Sequence, residues 1–242
     1  MRIELYLIPG RAKERRFENR VVVNIDILRA STTICKALKE GARAVIPVEE
    51  PHEAAEMRSN IGSDTTLLAG ERGGLKIDNF DLGNSPMEFV EKGVKGKTII
   101  MTTTNGTRSY RASISSSFSL TGAFVNISMV TDFISRVGLD VAILCAGNDG
   151  DFSLEDTLCG GMLIHKLIHE KGMKVELNDA ASLALILFEN SRTDLARVIA
   201  GGEHGRLLAE LGFVDDVCLS SQPDSLPILP FYKNNLIVAD GD

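Results

Sequence analysis

Short β-branched runs and amphipathic stretches alternate along most of the chain. Arg2–Ile8, Arg20–Asp26, Arg43–Val48, Thr65–Ala69, Lys97–Met101, Ser117–Leu120 and Asp140–Cys145 carry the length and turn borders of strands. Between them, Ser31–Glu40, Pro51–Ile61, Ser85–Lys92, Asn105–Ala112, Asn126–Val137 and Ser153–Glu170 read as helices. Val21–Ile25 and Val141–Leu144 are near-continuous apolar runs, which predicts strands covered on both faces. The alternation predicts a mostly parallel sheet with helices on each side, a three-layer α/β/α sandwich.

Helix starts are marked by Ser31, Pro51, Asn126 and Ser153, and helix ends by Gly41 and Gly172. Val21–Ser31 and Val141–Ser153 echo one another: apolar strand, polar loop, hydroxyl-capped helix. Two similar half-domains would produce that echo. So would the repeating βα unit alone, which is the preferred reading. The C-terminal third departs from the alternation. Helices are expected near Asn178–Glu189, Asp194–Ala200 and Glu203–Leu211, with extended segments near Val214–Leu219 and Leu236–Val238. No linker interrupts the chain, so residues 1–242 are expected to form one domain.

Composition narrows the chemistry. The net charge is −7 and aromatic residues make up 5%, with no tryptophan. This argues against nucleic acid as a partner, because neither a basic face nor a stacking platform is in prospect. The one basic run, Arg11-Ala12-Lys13-Glu14-Arg15-Arg16, contains an acid and reads as a solvated turn. The longest apolar run, Ala180 to Phe188, is too short to span a bilayer, so no membrane is expected as a partner. The N-terminus lacks a basic region followed by an apolar stretch, so no signal peptide is expected. Cys35, Cys145, Cys159 and Cys218 form no zinc pattern and read as reduced thiols of a cytoplasmic protein. His165 and His169 have i,i+4 spacing without an H-E-x-x-H frame, and read as ordinary helix residues.

Familiar catalytic patterns fail. Gly96-Lys97-Thr98 lacks the leading glycine of a P-loop and precedes a strand. There is no G-x-G-x-x-G. The position six beyond Cys145 is Asp151 rather than the arginine of a cysteine phosphatase. Asp26 is followed two residues on by Leu28, so the D-x-D of haloacid-type phosphatases is missing.

Four polar loops remain, each after a predicted strand, where open α/β sheets bind ligands. They are Asp26–Thr33, Ala69–Pro86, Thr102–Arg108 and Ala146–Asp151, with Glu155 and Asp156 just beyond. Hydroxyls and backbone N–H groups at helix starts, with Arg29, Arg72 and Arg108 close by, are equipment for an oxyanion such as phosphate. Thr103, Thr104, Asn105, Gly106 and Thr107 form the candidate phosphate nest, joined by Ser31, Thr32, Lys76, Asn84, Ser85 and Asn148 as further anion contacts. Asp26, Glu71, Asp151, Glu155 and Asp156 are candidate ligands for a hard cation. Each has a plainer reading, as a helix cap, turn residue or surface charge.

The runs NIDILRASTT, AGERGGLKIDNFDLGNSPMEF, IIMTTTNGTRS and CAGNDGDFSLEDTLCGG resemble those of the 2-phosphosulfolactate phosphatase family. Leu177-Asn178-Asp179-Ala180-Ala181 and His204-Gly205-Arg206-Leu207-Leu208 extend the resemblance to nearly the whole chain. The resemblance implies an α/β/α fold and a Mg²⁺-dependent phosphatase that makes 3-sulfolactate in coenzyme M biosynthesis. The extra acids of Asn148-Asp149-Gly150-Asp151 depart from the pattern.

On this reading, Mg²⁺ held by Asp26 and other loop acids bridges to the phosphate. Arg29, Arg72 and Arg108 divide the remaining charge, with Asp26, Arg29 and Arg108 as the catalytic set. Water attacks directly, or Asp26 forms an acyl phosphate. Two alternatives use the same residues: a phosphatase for another small 2-phospho carboxylic acid, and a non-catalytic binder of phosphorylated metabolites. A homodimer is expected on base rates alone.

Overall fold

The computed structural model describes residues 1–8, 17–91 and 93–239, with the side chains of Glu91, Thr107 and Arg108 outside that description. The basic run at residues 11–16 also lies outside it.

The strands are β1 (Arg2–Tyr6), β2 (Arg20–Ile25), β3 (Ala44–Pro47), β4 (Thr66–Arg72), β5 (Leu75–Lys76), β6 (Thr98–Thr102), β7 (Phe118–Gly122), β8 (Asp140–Cys145), β9 (Glu176–Leu177), β10 (Pro230–Lys233) and β11 (Leu236–Ala239). The helices are α1 (Ala30–Lys39), α2 (Pro51–Ile61), α3 (Glu88–Glu91), α4 (Thr107–Ala112), α5 (Ile127–Val137), α6 (Leu154–His165), α7 (Asp179–Ser191), α8 (Leu195–Gly201), α9 (Glu203–Glu210) and α10 (Val214–Ser220). A π-helical turn, Lys166–Glu170, follows α6 directly.

All the strands join one sheet in the order β5-β4-β6-β3-β11-β10-β7-β2-β8-β1-β9, a three-layer α/β arrangement. β4, β6 and β3 are parallel, as are β7, β2, β8, β1 and β9. The β10–β11 hairpin is inserted antiparallel between these two blocks, held by one residue pair on each side, Phe231↔Leu120 and Ile237↔Val45. Three antiparallel steps reverse the sense of one block relative to the other. A twist of about 20–25° per strand accumulates to roughly 100–125° over the five steps from β6 to β2. That turn offsets much of the reversal and lets loops from both blocks meet.

The near-continuous apolar runs are the central strands. Every residue of Val21–Ile25 and of Val141–Cys145 is buried, and β2 pairs with β8 from Arg20↔Asp140 to Ile25↔Cys145. The two echoing βα units are therefore neighbours within one block, which fits the repeating unit rather than halves facing each other across the sheet.

Helix starts follow local chemistry. Ser153 Oγ accepts from Asp156 N–H at 3.2 Å, and Asn178 Oδ1 accepts from Ala181 N–H at 2.9 Å. Pro51 opens α2, where Glu53 reaches back to the N–H of Glu50. Gly41 and Gly172 follow helix ends with positive φ. At α1 the N-cap position is Arg29 rather than Ser31, which lies inside the first turn; the Ala30 N–H is satisfied by Asp26 Oδ1 at 3.2 Å.

Three expectations need correction. Val214–Leu219 is helical, not extended. Ser85–Lys92 contains a single helical turn. The strand Pro230–Lys233, opened by a proline, was not expected at all. Cys35, Cys145 and Cys159 are buried free thiols, and Cys218 is exposed. No helix among the described residues is long and apolar enough to cross a membrane.

Candidate active site

The four polar loops converge on one cavity of about 330 Å³. β2 and β8 bring two of them, β4 and β6 the other two. Asp26, Leu28, Arg29, Glu71, Gly73, Gly74, Asn84, Thr104, Asn105, Asn148 and Asp149 line it. A larger cavity of 610 Å³ beside the β10–β11 hairpin has no carboxylate in its wall and offers no comparable chemistry.

Asp26 directly follows β2 and is 9% exposed. Its carboxylate accepts from Ala30 N–H, and Oδ2 lies against Gly106: a Cβ added there would fall 2.6 Å from it and 2.8 Å from Ala30 Cβ. Only glycine lets the α4 start approach Asp26 so closely. Burial, reinforced by the nearby Glu71 and Glu155 carboxylates and partly relieved by the Ala30 bond and by Arg29, pushes the Asp26 pKa up to about 7.

Glu71, at the end of β4, ties two loops together. Oε1 accepts from Thr104 N–H at 2.9 Å and from Thr104 Oγ1 at 3.0 Å, and Oε2 accepts from Gly74 N–H at 2.8 Å. The predicted anion cradle thus does hold an oxyanion, an internal one. Asp156 is equally buried but differently used. Oδ1 accepts from Ile27 N–H at 2.8 Å and Oδ2 from Gly147 N–H at 3.2 Å, which fastens the β2 and β8 loops to each other. Burial, then Asp26 and Glu155, raises its pKa well above the usual range. Glu155 is 4% exposed and adds a further negative charge behind Asp26.

The remaining candidates divide into those at the cavity and those spent on scaffolding. Asn84, Thr104, Asn105 and Asn148 line it, and Asn84 Oδ1 is buried without a protein partner. Arg29 lines it too, but Nη1 bonds Asp216 Oδ2 at 2.7 Å, Nη2 donates to Gly74 O at 2.6 Å, and Phe213 lies 4.2 Å under the guanidinium. Ser85 Oγ also donates to Asp216, at 2.7 Å. Arg72 is turned to scaffolding: it donates to the carbonyls of Glu71 and Glu49 and to Thr102 Oγ1. Lys76 and Asp151 are exposed and outside the cavity wall. Ser31, Thr32 and Thr103 are buried and bonded to nearby backbone, Ser31 accepting from Asp26 N–H, Thr32 donating to Ile27 O and Thr103 accepting from Gly106 N–H. The side chains of Thr107 and Arg108 lie outside the described residues.

One wall was not anticipated as part of the site. Glu203, His204, Arg206, Leu207 and Glu210 of α9 complete the cavity, and His204 Nδ1 lies 3.1 Å from Asn148 Oδ1. The available signal was the His204-Gly205-Arg206-Leu207-Leu208 run, one of those that carry the family resemblance. The described wall carries five carboxylates, from Asp26, Glu71, Asp149, Glu203 and Glu210, against Arg29, Arg206 and His204, and Asp216 already pairs Arg29.

Such a site defines a class first: an α/β protein that gathers buried carboxylates and backbone donors at strand ends, suited to a small anionic ligand. A family profile described as 2-phosphosulpholactate phosphatase matches residues 6–235. Proteins named "Probable 2-phosphosulfolactate phosphatase" from Caldanaerobacter subterraneus subsp. tengcongensis and Clostridium acetobutylicum are 39% and 37% identical to the chain. The alignments cover 100% and 98% of the chain and the whole of each relative. A protein of the same name from Symbiobacterium thermophilum is 39% identical over 90% of the chain and 94% of its own length. The chain belongs to the 2-phosphosulpholactate phosphatase family, and it is an enzyme of the phosphatase class.

Proposed function

We propose that the protein hydrolyses the phosphate ester of 2-phosphosulfolactate, releasing 3-sulfolactate and phosphate, and that it does so with Mg²⁺. The observation that carries this reading is the buried carboxylate group around Asp26 in a cavity otherwise built for an anion. Five acids in the wall repel a substrate with phosphate, carboxylate and sulfonate groups unless a cation intervenes. A proton on Asp26 near neutral pH expresses the same deficit of positive charge. The donor set is all hard oxygen, which suits Mg²⁺, and Asp26 and Glu71 would hold it, with Glu155 behind them.

When bound, Mg²⁺ would draw charge from the phosphoryl oxygens. The chain does the rest. Asn105 faces the phosphate, Thr104 holds Glu71 in place beside it, and Asn84 Oδ1, an acceptor without a protein partner, takes a hydrogen from water in the cavity. Arg29, locked by Asp216 and Gly74, acts as a positioning residue between the β4–β5 turn and α10. Asp26 orients the attacking water in line with the ester bond. A loose transition state needs little base, so orientation is its main task. His204, its ring oriented by Nδ1–H donating to Asn148 Oδ1, gives the Nε2 proton of its imidazolium form to the departing alkoxide and regains one from solvent.

The test is phosphate release from 2-phosphosulfolactate in Mg²⁺ and in EDTA, beside 2-phospholactate. Mg²⁺-dependent release that prefers the sulfonate is expected. Equal release from both esters would keep the phosphatase and remove the substrate assignment. No release from either would favour a binding protein.

A further inference from the structure

At the far end of α6 from the carboxylates, the structure assembles a second group of metal-ligating side chains. His165 ends α6, His169 lies in the π-helical turn that follows, and Glu189 comes from α7 alongside. Glu189 Oε1 is 3.4 Å from His165 Nδ1 and 3.5 Å from His169 Nε2, and the three ligand atoms lie within 4.8 Å of one another.

An ordinary ion pair accounts poorly for this geometry. One carboxylate oxygen is shared by two imidazoles whose ring centroids are 4.5 Å apart. Charging both rings to pair with it would set two cations against each other. Neutral rings could share that oxygen as N–H donors, but 3.4 and 3.5 Å are long for such bonds, whereas a cation between the three atoms would satisfy all of them. Tetrahedral coordination with bonds of about 2.0–2.1 Å places adjacent ligand atoms about 3.3–3.4 Å apart, close to both observed separations. The cluster is reachable from solvent, with the His169 and Glu189 side chains 53% and 41% exposed.

The platform is stiff. A Cβ on Gly161 would fall 2.0 Å from Ala184 O, so α6 and α7 approach backbone to backbone. His165 is further held against the Phe188 ring at 5.3 Å. Lys171 N–H closes the π turn on Lys166 O at 3.0 Å, fixing His169 relative to His165.

We propose that His165, His169 and Glu189 form a site for a borderline divalent transition cation of the Zn²⁺ type, clamping the end of α6 to α7. Imidazole ligands favour such ions over Mg²⁺. Nine residues of helix, about 13 Å along the axis, separate His165 from Asp156, so this site is distinct from the phosphatase cavity.

The test is Zn²⁺ uptake by the intact protein in excess Mg²⁺, which keeps the hard-oxygen ligands occupied. Equilibrium dialysis should show one more tightly held equivalent in the parent than in His169→Gln. That equivalent should weaken roughly 100-fold in the variant, and Glu189→Gln should weaken it about 10-fold. Zn²⁺ should raise the melting temperature of the parent and leave that of His169→Gln unmoved. Equal uptake by parent and His169→Gln, or no uptake by the parent, overturns the proposal. His169 is more than half exposed, so its replacement leaves the fold intact, which melting without Zn²⁺ checks.

Discussion

Asp26 and Asp156 face each other across neighbouring βα units, and they are used in opposite ways. Both are almost fully buried, and both are pushed toward the protonated state by burial and by each other's cluster. Asp156 spends each oxygen on a backbone N–H and closes the floor between the β2 and β8 loops. Asp26 accepts one backbone N–H bond, borders the cavity, and meets a glycine where any other residue would carry a side chain. Burial alone therefore does not mark a reactive carboxylate. An unspent oxygen at a cavity wall does.

The largest expected effect separates the two residues. Asp26→Asn should lower kcat by about 10³-fold or more, the scale of losing a preorganised charged group at a reacting centre. Its effect on stability has the opposite sign. The folded Asp26 pKa of about 7 exceeds the ordinary value of 3.8, so the folded state holds more protons between those limits. Stability is then lost as pH rises from about 4 to 7, and the whole penalty is present above 7. In chelator, Asp26→Asn should melt several degrees above the parent at pH 8, with the gap shrinking toward pH 4. A melting temperature below the parent's at pH 8 would remove that account.

A steric change comes next. Gly106→Ala places a methyl group against Asp26 Oδ2 and Ala30 Cβ. It should reduce kcat by about 10- to 100-fold, the scale of a small displacement of catalytic groups, while circular dichroism stays that of the parent. Asp156→Ala leaves the N–H groups of Ile27 and Gly147 unpaired and should cost about 2–4 kcal/mol in denaturant unfolding. Its kcat per folded molecule should fall far less than that of Asp26→Asn. Smallest are Arg72→Gln and Lys76→Ala. With Arg72 bonded to scaffold carbonyls and Lys76 outside the wall, neither should change KM by more than about threefold.

Much of this layout was legible in the sequence. Apolar runs closed by polar loops located the central strands, and the carboxyl-end rule for open sheets predicted where ligands gather. What escaped depends on distant partners. Arg29 and Arg72 looked alike as loop arginines, yet Asp216 and a set of backbone carbonyls absorb them, and those partners arrive only with the fold. Ser31, Thr32 and Thr103 looked like anion contacts because hydroxyls at helix starts serve backbone and ligand equally well. The α9 wall comes from a segment with no strand before it, so the rule that found the other loops was silent there. Val214, Val217, Cys218 and Ser221 do fall at helical spacing, but a short β-branched run fits either period.

The most direct test of the central claim is phosphate release per folded molecule from 2-phosphosulfolactate by Asp26→Asn and Asp156→Ala, measured together at neutral pH in saturating Mg²⁺. The account predicts a folded and inactive Asp26→Asn beside a less stable Asp156→Ala whose folded fraction still turns over. Near-parent release by Asp26→Asn would contradict it, and the reactive centre would then have to be sought elsewhere in the cavity.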